Sequence, residues 1–311
     1  MRHGLLRHGL LRNRPLVFVG YRTVELGDAS GLTTPMVVMY PTEVEGRSER
    51  IGPYSLDVAL DAPPLGGDFP LVLISHGSGG SPLLYRTLAR YLASAGFVVG
   101  LPEHPFNNRN DDAWAGTLRN LRARPAVIRS ALDWFFADSE FAASLRPGVA
   151  AVVGHSLGAY AALAAAGGIA TSFPRESEDG QVYEIATPPD PRIKALVLLA
   201  PATVWFAGDA ALRKVAVPIL MLSAERDELT RTFHAQIVIE RLPDLAQIRH
   251  RVVENAGHFS FLSPFPDAMS RPGFRPAQDP PGFDRARFHD ELNAEIAEFL
   301  QRELHAPEPV A

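Results

Sequence analysis

Apolar positions change their spacing several times along this chain, and each spacing predicts an element. Tyr21–Leu26 alternates apolar and polar residues as a half-buried strand does, and Met36–Tyr40 follows as a second. Residues 41–56 are polar and turn-rich, after which Leu56, Val58 and Leu60 alternate weakly. Leu71–Ser75 is a short continuous apolar run, the pattern of a central parallel strand covered on both faces. Phe97–Leu101, Val149–Val153, Lys194–Leu199, Val217–Leu222 and Ile248–Glu254 predict further strands. Helical spacing appears between them. Leu84, Leu88, Tyr91 and Leu92 share a face behind Pro82, and a helix opened by Pro125 buries Ile128, Leu132, Phe135 and Phe136. Phe233–Arg241 is a third helix, and a terminal helix aligns Phe288, Leu292, Ile296, Phe299 and Leu300. Strands thus alternate with helices from residue 71 to 304, which predicts an α/β fold with a mostly parallel central sheet and helices on both faces.

No repeat or linker divides this pattern, so residues 19–305 are expected to form one domain, followed by a tail at 306–311. Two polar segments, at about 102–123 and 167–191, are too long for plain connections and are expected to be cover loops. Residues 1–18 are basic, with a repeated Arg-His-Gly-Leu-Leu, and are expected to be a disordered extension. Arg7 and Arg12 interrupt the apolar stretch that a secretory signal would need, so a cytoplasmic location is expected. No segment reaches the ~20 apolar residues of a membrane span.

One strand–helix junction stands apart from the others. The apolar strand at Val149 runs into Gly154-His155-Ser156-Leu157-Gly158 and then into a helix of small residues, Ala159 to Ala166. A turn this tight requires small neighbours for the serine, and Gly154 and Gly158 supply them. Ser156 Oγ would stand above the strand end as a nucleophile. A serine hydroxyl needs a base, a group to orient that base, and donors for the oxyanion. Asp227 follows the strand ending at Leu222, and His258 follows the strand ending at Glu254, so Ser156, Asp227 and His258 stand in the order of an acyl-transfer triad. Glu225, Glu228 and Asp209 compete with Asp227 as the acid. Glu225 lies where the chain is still leaving the strand, and Asp209 suits a helix cap. Upstream, His76-Gly77-Ser78-Gly79-Gly80 ends a strand with glycines that let backbone N–H groups turn inward. The Ser78 and Leu157 N–H groups are the expected oxyanion donors. His155 is read as packing that supports the elbow, and His76 as a loop-orienting group. His76, Glu103, His104 and Phe259 are also candidates for lining a substrate pocket, and Glu103 and His104 could equally pin the loop after the Phe97 strand. Phe259, Phe261, Phe265, Phe274 and Phe283 otherwise suit packing beneath the proline-rich 263–283 loop.

His76–Gly80 with the following Leu84–Val99, Pro-Glu-His-Pro at 102–105, Gly154–Gly158, Ala-Gly-His-Phe-Ser-Phe-Leu at 256–262 and Asp-Pro-Pro-Gly-Phe-Asp-Arg at 279–285 together carry a resemblance. The chain resembles the α/β-hydrolase superfamily over residues 19–303, in particular dienelactone-hydrolase-like proteins related to platelet-activating-factor acetylhydrolases. That resemblance implies a serine esterase acting on small carboxylic esters without a cofactor. True dienelactone hydrolases use a cysteine nucleophile, and this chain has no cysteine. Acyl transfer or amide cleavage by the same triad, and a catalytically inactive ligand-binding member of the fold, are the alternatives.

Composition adds exclusions. Of 311 residues, 46% are hydrophobic and 21% charged, and the net charge is −5, which offers no basis for binding nucleic acid. The absence of cysteine removes thiolate nucleophiles and thiolate metal sites. The ten histidines show no metal-ligand spacing, and neither metal nor cofactor is expected.

Overall fold

The computed structural model describes residues 17–27 and 33–305; the basic extension through residue 16 and the tail at 306–311 lie outside the described residues. The chain enters as β1 (Phe18–Gly27) and β2 (Thr33–Thr42), an antiparallel pair, then forms β3 (Arg47–Ile51) and β4 (Tyr54–Leu60). The polar 41–56 stretch thus contains a strand, which its composition does not show. Strand β3 is polar because it pairs only with β4, at the sheet's edge. Strand β5 (Phe69–Ser75), helix α1 (Arg86–Ser94), β6 (Val98–Pro102), helix α2 (Leu118–Asp133), β7 (Leu145–His155) and helix α3 (Leu157–Ala165) follow. A two-stranded excursion, β8 (Ile169–Thr171) with β9 (Glu184–Ala186), precedes β10 (Ile193–Leu199) and β11 (Ile219–Ala224). Helix α4 (Phe233–Arg241), β12 (Ile248–Val253) and helix α5 (Arg285–His305) complete the order.

Among the described residues the main sheet has ten strands, ordered β12-β11-β10-β7-β5-β6-β2-β1-β4-β3. The six from β12 to β6 run parallel, and β2 joins β6 antiparallel. In the parallel strands both side-chain rows are apolar and face different layers. Leu71, Leu73, Val152, Leu196 and Leu198 pack with α2, α3 and α4, while Val72, Ile74, Val153, Val197 and Leu199 pack with α1 and α5. This two-sided burial is why those strands read as unbroken apolar runs.

Two boundaries differ from the sequence reading. Helix α2 begins at Leu118, capped by the Thr117 hydroxyl accepting from the Asn120 N–H, so the first cover loop ends at residue 117 and Pro125 lies inside the helix. An internal proline leaves the carbonyl four residues earlier without its N–H donor. Here that carbonyl is Leu121 O, and the Tyr160 hydroxyl of α3 donates to it at 3.0 Å. The second cover segment is not plain loop, because β8 and β9 pair within it. Among the described residues no helix is long and apolar enough to cross a membrane.

Candidate active site

Strand β7 ends at His155 and α3 starts at Leu157, which leaves Ser156 in the junction with φ 54° and ψ −119°. A positive φ on a residue with a Cβ costs on the order of 1–3 kcal/mol and persists only where the surroundings enforce it. They do so here. The Ser156 N–H donates to Leu199 O at 3.0 Å, and its carbonyl accepts from the Ala159 and Ala202 N–H groups, each at 3.0 Å. A Cβ on Gly154 would overlap the Gly158 carbonyl, and a Cβ on Gly158 would overlap the Ser75 carbonyl. Both glycines are therefore demanded by backbone approach. Leu157 opens α3, so its N–H has no acceptor inside the helix.

His258 and Asp227 lie in the loops after β12 and β11, both buried. His258 Nδ1–H donates to Asp227 Oδ2 at 2.8 Å, which leaves Nε2 as the ring's open acceptor. Asp227 Oδ1 accepts the Leu229 and Thr230 N–H groups at 2.8 and 2.7 Å. The Thr230 hydroxyl sits 2.7 Å from Asp227 Oδ2, 3.0 Å from Ala200 O and 3.1 Å from His258 Nδ1. Burial alone would raise the Asp227 pKa, but the bond to His258, its charge, and the Thr230 donors outweigh it and lower the value to about 2. None of the competing acids reaches the imidazole. Glu225 accepts the Asn255 N–H, exposed Glu228 faces Arg275, and Asp209 pairs with Arg241 and caps no helix.

His155 joins the pieces. Its Nε2–H donates to His258 O at 3.0 Å, and its Nδ1 accepts from the Tyr85 hydroxyl at 2.9 Å. Tyr85 in turn accepts the Gly77 N–H at 3.4 Å. Burial lowers the His155 pKa to about 3, so the ring stays neutral and keeps one donor and one acceptor. The His155 and His258 rings are 4.9 Å apart, which sets His258 beside the elbow. Ser156 Oγ forms no hydrogen bond to His258 in this arrangement, although Ser156 remains partly exposed.

The glycine loop after β5 lies against the serine: a Cβ on Gly77 would sit 3.2 Å from Ser156 Cβ. His76 and His104, candidates for a substrate pocket, are fully enclosed behind this loop and do not line it. His76 Nδ1–H donates to Gly77 O at 2.7 Å, and its Nε2 accepts the His104 N–H at 3.1 Å, while His104 Nε2 meets Ser75 Oγ at 2.8 Å. Burial lowers the His76 pKa to about 3 and His104 well below its ordinary value, so both rings are neutral near neutral pH, each with a single N–H. Glu103 stands by β2 and near Glu25, its N–H bonded to Pro35 O, with its pKa raised by burial and then by that neighbouring carboxylate. Phe259 stays partly exposed, edge-on to the His258 ring at 5.1 Å. Phe261, Phe265, Phe274 and Phe283 instead pair with one another and with Phe288. The two cover segments meet at a groove of about 630 Å³ lined by Trp114, Arg119, Arg122, Glu176 and Tyr183 among others, without a triad candidate. Among the described residues no cluster of His, Asp or Glu could hold a metal ion.

The order of the sheet, the strained serine between β7 and α3, and the acid and histidine after β11 and β12 decide the architecture. The chain has the α/β-hydrolase fold. Residues 49–124 match the family described as platelet-activating factor acetylhydrolase, isoform II, a stretch that includes the glycine loop and α1 but not Ser156, Asp227 or His258. A ferulic acid esterase from Streptomyces cinnamoneus superposes with a TM-score of 0.66 at 19% identity, covering 97% of this chain and 94% of that one. No curated protein matches the sequence.

Three participants escaped the sequence reading. Thr230 stands three residues after Asp227, the spacing of a side chain that closes its own turn, and that signal was available. Tyr85 carries no such mark. Arg124, which donates to His76 O and Gly77 O behind the glycine loop, does, because it falls at helical spacing between the apolar Leu121 and Ile128.

Proposed function

We propose that the protein is a serine hydrolase that cleaves small carboxylic esters through an acyl-enzyme on Ser156. The observation that carries this reading is the 2.8 Å bond from His258 Nδ1 to buried Asp227, with His258 held beside a serine whose backbone is strained outward. In the acylation step His258 Nε2 takes the Ser156 proton as Oγ bonds to the ester carbonyl carbon. The carbonyl oxygen becomes an oxyanion facing the Ser78 and Leu157 N–H groups. Collapse expels the alcohol, which leaves with the proton that His258 returns, and water then repeats the sequence to release the acid. Asp227 holds the tautomer and offsets the imidazolium charge without taking the proton.

The relatives support ester substrates: the family match is to acetylhydrolases of platelet-activating factor, and the superposed structure is a ferulic acid esterase. Small substrates are favoured by the cover, which consists of the 103–117 loop and the β8–β9 excursion, neither of which contains an α-helix among the described residues. Cleavage is tested by fluorophosphonate labelling and by a chromogenic ester series of increasing acyl length. The expected outcome is one adduct on wild-type protein, located on Ser156, with acetyl and butyryl esters hydrolysed fastest. Ser156→Ala takes no adduct and loses on the order of 10⁶ in kcat while unfolding at the wild-type temperature. Undiminished turnover by Ser156→Ala would end the proposal.

A further inference from the structure

Arg124 is a buried cation, 1% exposed, on the inner face of α2. Among the described residues no carboxylate lies within ion-pair distance of it; its partners are carbonyl oxygens and one amide. Nη1 donates to His76 O at 2.7 Å and Nη2 to Gly77 O at 3.2 Å. Nε and Nη2 donate to Asn107 Oδ1 at 2.9 and 2.6 Å. Burying an arginine without a carboxylate is expensive, and its hydrogen bonds offset that only where the geometry is good. Asn107 also extends the bracket to the far side of the loop, where its Nδ2 donates to Ser78 Oγ at 2.9 Å.

The consequence lies in the peptide plane. In a trans peptide the C=O and the following N–H point in opposite directions. Arg124 draws two successive carbonyls, His76 and Gly77, toward itself, so the Gly77 and Ser78 N–H groups must point the other way. The Gly77 N–H meets the Tyr85 hydroxyl. Gly77 O is held additionally by His76 Nδ1–H and by the Gly80 N–H at 3.2 Å, so the Gly77–Ser78 plane cannot turn over easily. Gly77 packs against Ser156, so the peptide whose N–H turns away from Arg124 follows directly on the residue of this loop that touches the serine.

We infer that Arg124, braced by Asn107, is a positioning residue that aims and polarises the Ser78 N–H as an oxyanion donor. A cation on the carbonyl side of a peptide draws electron density from it and makes its N–H a stronger donor. The same charge, enclosed in a low-dielectric layer, favours negative charge developing across the loop. This inference rests on the serine-hydrolase reading and deepens it.

The experiment uses full-length Arg124→Met, Arg124→Lys and Asn107→Ala, with near-ultraviolet circular dichroism as the check of folding. Each is assayed for kcat and KM on a short-chain ester and on its thionoester counterpart. Sulfur in place of the carbonyl oxygen accepts poorly from amide N–H, so the ratio of the two rates reports the oxyanion donors and not general integrity. Arg124→Met is expected to lose about 10² in kcat, the scale of a lost oxyanion donor, with KM changed less than threefold. Arg124→Lys and Asn107→Ala are expected to lose about tenfold, and the preference for the oxoester falls in step with kcat. Should Arg124→Met fail to fold, the other two variants decide. Folded Arg124→Lys and Asn107→Ala with kcat within twofold of wild type overturn the inference, as does a loss of kcat that leaves the oxoester preference unchanged. Fluorophosphonate labelling of wild type separates the two readings: no adduct on Ser156 defeats the hydrolase proposal itself, whereas an adduct with those variant results defeats only the role of Arg124.

Discussion

Replacing Asp227 with Asn changes one atom's chemistry, and the surrounding bonds dictate where it goes. Oδ1 accepts two backbone N–H groups at 2.8 and 2.7 Å, so the amide oxygen must take that place. An NH2 there would face two donors. The NH2 therefore falls at the Oδ2 position, 2.8 Å from His258 Nδ1 and 2.7 Å from the Thr230 hydroxyl. It donates to both, and Thr230 can turn its own hydrogen to Ala200 O at 3.0 Å. The imidazole must then present an unprotonated Nδ1, which puts its proton on Nε2, where Ser156 needs an acceptor. In a serine-protease triad the same substitution lowers kcat about 10⁴-fold. At 1.36 kcal/mol per tenfold change, that is roughly 5–6 kcal/mol of transition-state stabilisation. Shape and hydrogen-bond count are nearly conserved, so the melting temperature should move by only a few degrees. The assay is steady-state hydrolysis of a chromogenic acetyl ester at pH 7, with Glu225→Gln, Glu228→Gln and Asp209→Asn expected within twofold of wild type. If Asp227→Asn keeps more than a tenth of wild-type kcat, or one of those three collapses, the tautomer argument and the assignment of the acid both fail.

Three further outcomes follow from the packing. Gly158→Ala places a methyl on the Ser75 carbonyl and should destabilise the fold by more than about 4 kcal/mol or abolish soluble expression; a normal urea midpoint would contradict that. Tyr160→Phe strands the Leu121 carbonyl and should cost about 1–3 kcal/mol, while adding Pro125→Ala restores an N–H donor and should recover part of it; a double-mutant cycle without coupling would refute the pairing. Burial holds His76 and His155 at about 3 and His234 and His289 at about 4, so the unfolded chain binds more protons below the ordinary histidine value. Stability is then full above about pH 6.5 and falls as pH drops toward 3, with His76 and His155 each contributing up to about 1.4 kcal/mol per pH unit; equal urea midpoints at pH 7.5 and 5 would show this is wrong.

The sequence alone determined what local chemistry specifies. Leu71–Ser75 and Lys194–Leu199 had to be buried on both faces, because no polar row interrupts them, and that implied helices above and below the sheet. Gly154 and Gly158 around Ser156 announced a turn without room for side chains, and the overlaps with Gly158 and Ser75 carbonyls give the reason. The order of Ser156, Asp227 and His258 after β7, β11 and β12 was legible because parallel strands bring their carboxyl ends to one edge. Tertiary structure decided the rest. Proline is a poor helix interior, yet Pro125 sits inside α2 because a tyrosine from another helix replaces the missing donor. His76 and His104 stand in loops and read as candidates for a substrate pocket, but folding buries them and joins His76 Nε2 to the His104 N–H and His104 Nε2 to Ser75 Oγ. Which of Glu225, Asp227, Glu228 and Asp209 meets the imidazole depended on a turn closed by Thr230, and the direction of the Ser78 N–H depended on a guanidinium 46 residues away in α2. Spacing along the chain states which residues can be near one another. The direction of a proton or a carbonyl is set by partners that only folding supplies.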